Sequence, residues 1–181
     1  MNSIQLVLQA LSLHHLDAAI AIHCDPETNR FNPFGTPKAE TVENNIRTWI
    51  ANWEAKGFGY WAVSLIEHPE QIIGFGGITH RQIGHYEGLN LYFRLAQHAW
   101  GKGIGSAIAE AGLKSAFIEL ERDAVFGLVR PDNTPSRRTL EKAGLLQIDS
   151  TNDVPDAVPS LIYRINAQDY LLKNNRTIVP Q

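Results

Sequence analysis

The chain opens on a short apolar run and then passes into helical spacing. Ile4–Gln9 (IQLVLQ) is brief and rich in apolar residues, which predicts an opening strand. Leu13–His23 carries Leu16, Ala19, Ile20 and Ile22 at helical intervals, with Asp17 near its start, and predicts a helix. The stretch Asn29–Lys38 (NRFNPFGTPK), with its prolines and glycine, reads as a loop. Glu40–Lys56 is amphipathic, with Val42, Ile46, Trp49, Ile50 and Trp53 on one side and Gly57 as its stop. Three strands follow: Tyr60–Ile66, Gln71–Thr79 after the turn-like EHPE, and Tyr86–Leu95. Their short joins imply antiparallel pairing.

Beyond a glycine-rich stretch, Ile104–Leu120 is apolar around most of its circumference, as in a helix packed on a sheet. Ala124–Val129 predicts another strand. PDNTPSRRTLEKAGL then predicts a short helix with Asn133 or Thr134 as cap, Pro135 in its first turn and Gly144 just past its end. Leu145–Ser150 and Ser160–Asn166 read as closing strands around TNDVPDAVP, and Lys173–Gln181 as a frayed tail behind a single domain spanning residues 1–172. The expected architecture is an α/β or α+β domain, a mixed sheet with helices on its faces.

Composition narrows the setting. A chain of 181 residues suits one domain, and 44% apolar with 19% charged residues is ordinary for a globular protein. A net charge of −3 argues against a nucleic-acid partner, which calls for a basic stripe. The lone Cys24 excludes an internal disulfide framework and points to a reducing cytoplasm. The opening MNSIQLVLQALSLHHLD lacks a basic n-region, and no run approaches ~18 apolar residues, so neither a signal peptide nor a membrane partner is expected.

The segment HAWGKGIGSAIAEA concentrates the chemistry. Gly101, Gly103 and Gly105 alternate at a strand-to-helix junction, where bare backbone lets N–H groups converge on an anion at a helix N-terminus. A nucleotide-hydrolase phosphate loop fits poorly, because Lys102 is followed by Gly103 rather than Ser or Thr. The dinucleotide fingerprint fails at Ser106, where it needs glycine. The run is also compatible with a tight connection whose glycines only relieve crowding.

Together with AVFGLVRPDNTPSRRTLEKAGL, the run resembles the GNAT family of acyl-CoA-dependent N-acyltransferases, from Leu6 to about Tyr170. Within it, Trp100-Gly101-Lys102-Gly103 and Asn133, Ser136, Arg137 and Arg138 resemble the RimJ/RimL-type branch. So do the "WAV" (Trp61–Val63) and "GFGGI" (Gly74–Ile78) strands. The resemblance implies a mostly antiparallel sheet with splayed middle strands and acetyl-CoA as co-substrate. Main-chain groups of Phe93, Arg94 and Leu95 would meet the pantetheine arm. Trp100, Gly101, Lys102, Gly103, Ile104, Gly105 and Ser106 would form the pyrophosphate cradle. Asn133 would hold the pantetheine or a water, and also suits a helix cap. Trp100 stands where many members carry Gln or Arg. No metal is expected, and the chain is read as a monomer or homodimer.

Acetyl transfer to an amine calls for alignment, a route for the amine proton, donors for the developing oxyanion, and a proton for the thiolate. The helix tyrosine of many members is replaced by Leu140. One turn earlier lies Ser136, which the RimL-like resemblance implies as the acid; an ordinary first-turn serine is the alternative. The usual strand glutamate is replaced by Asn90. Glu87, His80, His85 and His98 are nearby, but each also reads as a surface group, and a water chain would suffice for an α-amine. Phe31, Phe34, Trp53, Trp61 and Tyr92 are candidates to line the acceptor pocket, with His80 and Arg81 beyond the strand ending at Thr79 and Tyr163 on the closing strand. The reading is an N-acetyltransferase acting on a protein N-terminus or a small, amino-acid-like amine. The alternative is a catalytically degenerate acyl-CoA-binding module.

Overall fold

The computed structural model describes residues 4–175. They form a seven-stranded sheet of β1 (Leu6–Ala10), β2 (Tyr60–Leu65), β3 (Gly74–Ile83), β4 (Tyr86–Leu95), β5 (Ala124–Val129), β6 (Leu146–Thr151) and β7 (Ser160–Asn166), in the order β1-β2-β3-β4-β5-β7-β6. Helices are α1 (Leu16–His23), α2 (Ala39–Lys56), α3 (Ile104–Lys114), α4 (Thr134–Ala143) and α5 (Ala167–Asn175). Pairing is antiparallel for β1/β2, β2/β3, β5/β7 and β6/β7, and parallel for β4/β5 at Leu89↔Val125 and Asn90↔Phe126. The expected mixed, mostly antiparallel sheet with helices is what forms.

Two compact units divide the chain: Met1–Gly77 with Tyr92–Ile108, and Ile78–Leu91 with Ala109–Gln181. In the first, strand alternation creates two apolar faces. Ala19 and Ile22 of α1 and Val42 and Ile46 of α2 pack with Tyr60, Ala62 and Phe75, and Tyr92 of β4 joins them. On the opposite face Val63, Ile73 and Ala99 pack with Ile104 and Ile108 of α3, joined by Phe93 and Leu95 of β4. The close seat of α3 depends on Gly76. A Cβ there would lie 2.7 Å from Ile108 Cγ2 and 2.7 Å from the Tyr92 carbonyl oxygen.

In the second unit Ile83, Phe126 and Ile162 form a core with Tyr86, Ala124 and Leu128 around them. Helix α4 lies against β5 at Gly127, where a Cβ would come within 2.9 Å of Leu140 Cδ1. Gly144 ends α4 at φ 102°, the left-handed stop its position predicts.

Three segments differ from expectation. The predicted helix Ile104–Leu120 keeps α geometry only to Lys114, and Ser115–Glu119 then wind as a wider π turn, with the Leu120 amide donating to the Ser115 carbonyl at 2.9 Å. Strand β3 runs on to Ile83 through the exposed His80–Gln82, beyond the apolar run that marks it in the sequence. The chain after β7 forms α5, docked by Tyr170 on Phe117 (ring centroids 4.9 Å) and by Lys173 Nζ on the Lys142 carbonyl at 2.7 Å. The expected tail therefore does not begin at Lys173; its residues 176–181 lie outside the described residues.

Gly76→Ala forces its new methyl against backbone and Ile108 together. An overpacking loss of roughly 1–3 kcal/mol is expected, read as a lowered Tm and urea midpoint. An unchanged midpoint would show that α3 is not seated by this contact.

Candidate functional site

The strand-to-helix junction follows β4 within the first unit. The Ala96 amide donates to the Ile73 carbonyl at 2.9 Å, and a 3-10 turn (Gln97–Ala99) carries the chain away from the sheet. Gly101 and Gly103 take φ of 72° and 77°, with Lys102 between them outside the positive region. This alternation turns successive N–H groups to one side, the arrangement that makes an anion nest. A Cβ on Gly101 would meet nothing within 4 Å, so the space above it is open; one on Gly103 would meet Ile4 Cδ1 at 3.2 Å. The Ala107 amide donates to the Gly103 carbonyl at 3.1 Å as α3 begins. The earlier amides of Ile104, Gly105 and Ser106 lack intrahelical acceptors by helix geometry, and the helix dipole adds positive character there. These residues fit a pyrophosphate. Ile104 is buried and anchors the turn, whereas Gly101, Lys102 and Gly103 are exposed.

Trp100 does not leave a blank where a polar side chain often stands. Its indole N–H donates to the Leu95 carbonyl at 2.9 Å, and the Arg30 guanidinium lies 5.3 Å from its ring centroid. Phe93 and Leu95 send their side chains toward α3, leaving main-chain groups as their only polar offering.

On the other face of β4 a polar ring closes that no spacing in the sequence announces. His23 Nδ1 donates to the Ala19 carbonyl at 2.9 Å, so its Nε2 accepts the Tyr92 hydroxyl proton at 3.1 Å. Arg94 Nε donates to the Tyr92 oxygen at 3.2 Å, and Nη1 to Asn29 Oδ1 at 2.7 Å. Asn29 Nδ2 returns to the His23 carbonyl at 2.6 Å. Trp49, Tyr60 and Tyr92 stand around it, with ring centroids 4.9 to 6.0 Å apart. Burial, and then the Arg94 charge, lower the His23 imidazole from 6.5 to about 4, against the raising effect of its Ala19 hydrogen bond. It is neutral near pH 7. His23 and Asn29 were missing from the sequence-derived list. Their partners lie 69 and 65 residues away, so only the fold brings them together.

Of the aromatics expected to line an acceptor pocket, Trp53 and Tyr92 border this cluster, and Trp53 donates to the Tyr60 carbonyl at 2.6 Å. Trp61 packs on the α3 face instead, Phe34 is exposed on its loop, and Phe31 lies under Arg30 at 4.7 Å.

In the second unit Asn133 caps α4, its Oδ1 accepting the Ser136 amide at 3.2 Å, which leaves its own N–H₂ for other partners. Ser136 is half-buried, and its hydroxyl makes no hydrogen bond among the described residues. Leu140, one turn on, is buried against β5. Arg137 and Tyr163 are tied to each other: Arg137 Nε donates to the Tyr163 oxygen at 3.3 Å, and that hydroxyl donates to Glu141 at 2.8 Å. Tyr163 therefore braces α4 on β7.

Asn90 is buried in the β4/β5 pairing with its Oδ1 unpartnered. Glu87, His80, Arg81 and His98 are exposed. His85 stacks on Tyr86 with centroids 4.0 Å apart and lies 3.8 Å from Asp149.

The family model described as an acetyltransferase (GNAT) domain matches residues 5–146. The chain is 24% identical over 154 residues to an uncharacterized N-acetyltransferase p20 of Bacillus licheniformis, covering 79% of this chain and 83% of that one. Among solved structures it is similar to a GNAT-family acetyltransferase from Bacillus anthracis, with TM-score 0.75, 19% identity, and 93% and 98% of the two chains covered. It is also similar to Mycobacterium smegmatis RimJ in complex with CoA-disulfide, with TM-score 0.72, 18% identity, and 94% and 90% covered.

The buried neutral histidine has a measurable consequence. His23 titrates near 6.5 when unfolded and about 4 when folded. The unfolded chain therefore binds more protons between those values, and stability present above pH 6.5 is lost as pH falls toward 4. Unfolding free energies at pH 7 and pH 4.5 should differ by roughly 2–3 kcal/mol more in the wild type than in His23→Gln. The comparison between variants removes the part due to His15, also lowered by burial. Equal pH slopes would mean that His23 is not held neutral.

Proposed function

As a member of the GNAT acetyltransferase family the chain is an N-acetyltransferase, and we propose that it transfers the acetyl group of acetyl-CoA to a primary amine by direct attack in a ternary complex. The amine is a protein N-terminal α-amine or a small, amino-acid-like molecule, and the branch is the RimJ/RimL-like one. The observation that carries this reading is the cradle: two left-handed glycines opening onto the unpaired first-turn amides of α3. With the absence of any membrane-crossing helix among the described residues and the lone Cys24, we place the enzyme in the cytoplasm.

Acetyl-CoA, when bound, supplies an acyl group already activated as a thioester. The amides of Gly101 to Ser106 hold the pyrophosphate, and Phe93–Leu95 offer main-chain groups to the pantetheine. Asn133 donates through the N–H₂ left over from capping. Ser136 gives its hydroxyl proton to the thiolate released as the C–N bond forms and the C–S bond breaks, and regains one from the water that took the amine's. That role is supported by a hydroxyl that spends no hydrogen bond within the protein. The amine loses its proton to a water chain, since Asn90 stands at the strand position of the usual glutamate and cannot take one. The second reading, an acyl-CoA-binding module without turnover, rests on Asn90 and Leu140, neither of which can serve as acid or base.

Release of free CoA with a panel of peptides and amines separates the two, because both bind acetyl-CoA and only the enzyme turns it over. Gly101→Val fills the open side of the nest at a φ that valine resists, and should weaken acetyl-CoA at least about tenfold by calorimetry. An unchanged affinity would put the pyrophosphate elsewhere. Ser136→Ala should lower kcat by about 100-fold or more while acetyl-CoA affinity holds. An intact kcat with a raised acetyl-CoA constant would remove Ser136 as the acid.

A further inference from the structure

Arg94 was expected to contribute only its main chain, yet its side chain is the one cation of the polar ring on the α1/α2 face of β4. A guanidinium has five N–H donors and keeps its charge at any ordinary pH. Two of the five are spent, on the Tyr92 hydroxyl and on the Asn29 amide oxygen. Both partners are neutral, so they orient the charge without compensating it. Among the described residues no ion pair includes Arg94. Nη2 has no hydrogen-bond partner among the described residues and is not among the buried orphaned atoms. The group is half-buried, held at two points and still open on one side.

A positive charge fixed in this way beside aromatic walls suits a bidentate anion, because its ordering is complete before the ligand arrives. The anion differs from the one assigned to the glycine nest. Phe93, Leu95 and α3 lie on one face of the strand, whereas Tyr92 and Arg94 meet His23 and Asn29 on the other. The phenol, imidazole and carboxamide around Arg94 supply no second cation, which suits one carboxylate better than a phosphate cluster.

We propose that Arg94 is the recognition group for a carboxylate carried by the acceptor, which makes the preferred amine an amino-acid-like molecule rather than a neutral or cationic amine. This rests on the acetyltransferase reading above. His23 and Asn29 are positioning residues: the first orients the Tyr92 hydroxyl, and the second holds Nη1.

The test reads binding without turnover. The full chain, wild type and Arg94→Gln, is titrated calorimetrically with N-acetyl derivatives of the common amino acids, with their matching primary amides, and separately with acetyl-CoA. The wild type should bind at least one N-acetyl amino acid about tenfold or more tightly than its amide. In Arg94→Gln that preference should fall to within about twofold, with acetyl-CoA affinity changed by less than about twofold, and Arg94→Lys should restore part of it. A wild type that binds no N-acetyl amino acid, or binds acid and amide alike, overturns the proposal. So does a preference that survives in Arg94→Gln, even where the variant melts earlier, since a stitching role alone would lower Tm and leave the ratio. Loss of acetyl-CoA affinity on removing the guanidinium would assign it to a cofactor phosphate and overturn it as well. Failure of the wild type to bind acetyl-CoA would instead sink the acetyltransferase reading, while the acid-to-amide ratio is still scored.

Discussion

The alternation of side chains along β4 is the constraint on which the first unit depends. Successive residues of a strand face opposite ways, so Phe93 and Leu95 join the α3 core while Tyr92 and Arg94 join the polar ring. A slip of one residue would bury the guanidinium against Ile104 and Ile108 and turn Phe93 and Leu95 into the polar ring. Gly76 helps to forbid that slip, because only a residue without Cβ accepts the Tyr92 carbonyl and Ile108 at such close range. The same strand end then hands the chain to the cradle, with the Leu95 carbonyl tied to the Trp100 indole.

Electrostatics in the ring run through neutral groups. A protonated imidazole beside Arg94 would place two cations in a half-buried site, and it would also require Nε2 to donate where it now accepts. Keeping His23 neutral directs the Tyr92 proton toward it and frees the Tyr92 oxygen to accept from Arg94. Two donors of Arg94, Nε and Nη1, have fixed acceptors in the ring, which is how a charged side chain is oriented without a carboxylate. The Asn29 amide closes the circuit back to the His23 carbonyl, so the loop after α1 and the end of β4 are ordered together.

Much of the fold was legible in local pattern. Strands β4, β5 and β7 begin and end where alternation and turn residues predict, and α4 has the predicted Asn133 cap and Gly144 stop. The glycine nest was legible too, because left-handed backbone at Gly101 and Gly103 is a demand that glycine itself advertises. Less visible were α5, whose docking rests on a few contacts such as Tyr170 with Phe117, and the π turn that ends α3. Neither follows from periodicity. Tyr163 reads in the sequence as a pocket candidate, but its hydroxyl is spent on Arg137 and Glu141.

The sequence by itself determined the order of elements from β1 to β7, the left-handed glycines ahead of α3 and the family resemblance, because capping, alternation and the glycine requirement act within a few residues of their cause. Tertiary structure alone decided the partners of Arg94. His23, Asn29, Tyr92 and Arg94 come from a helix, a loop and a strand, and each is unremarkable in its own neighbourhood. Their meaning arises from hydrogen bonds with angular and distance limits that only the packed chain can satisfy. The charge left over on Arg94 after those bonds are counted is a property of the fold.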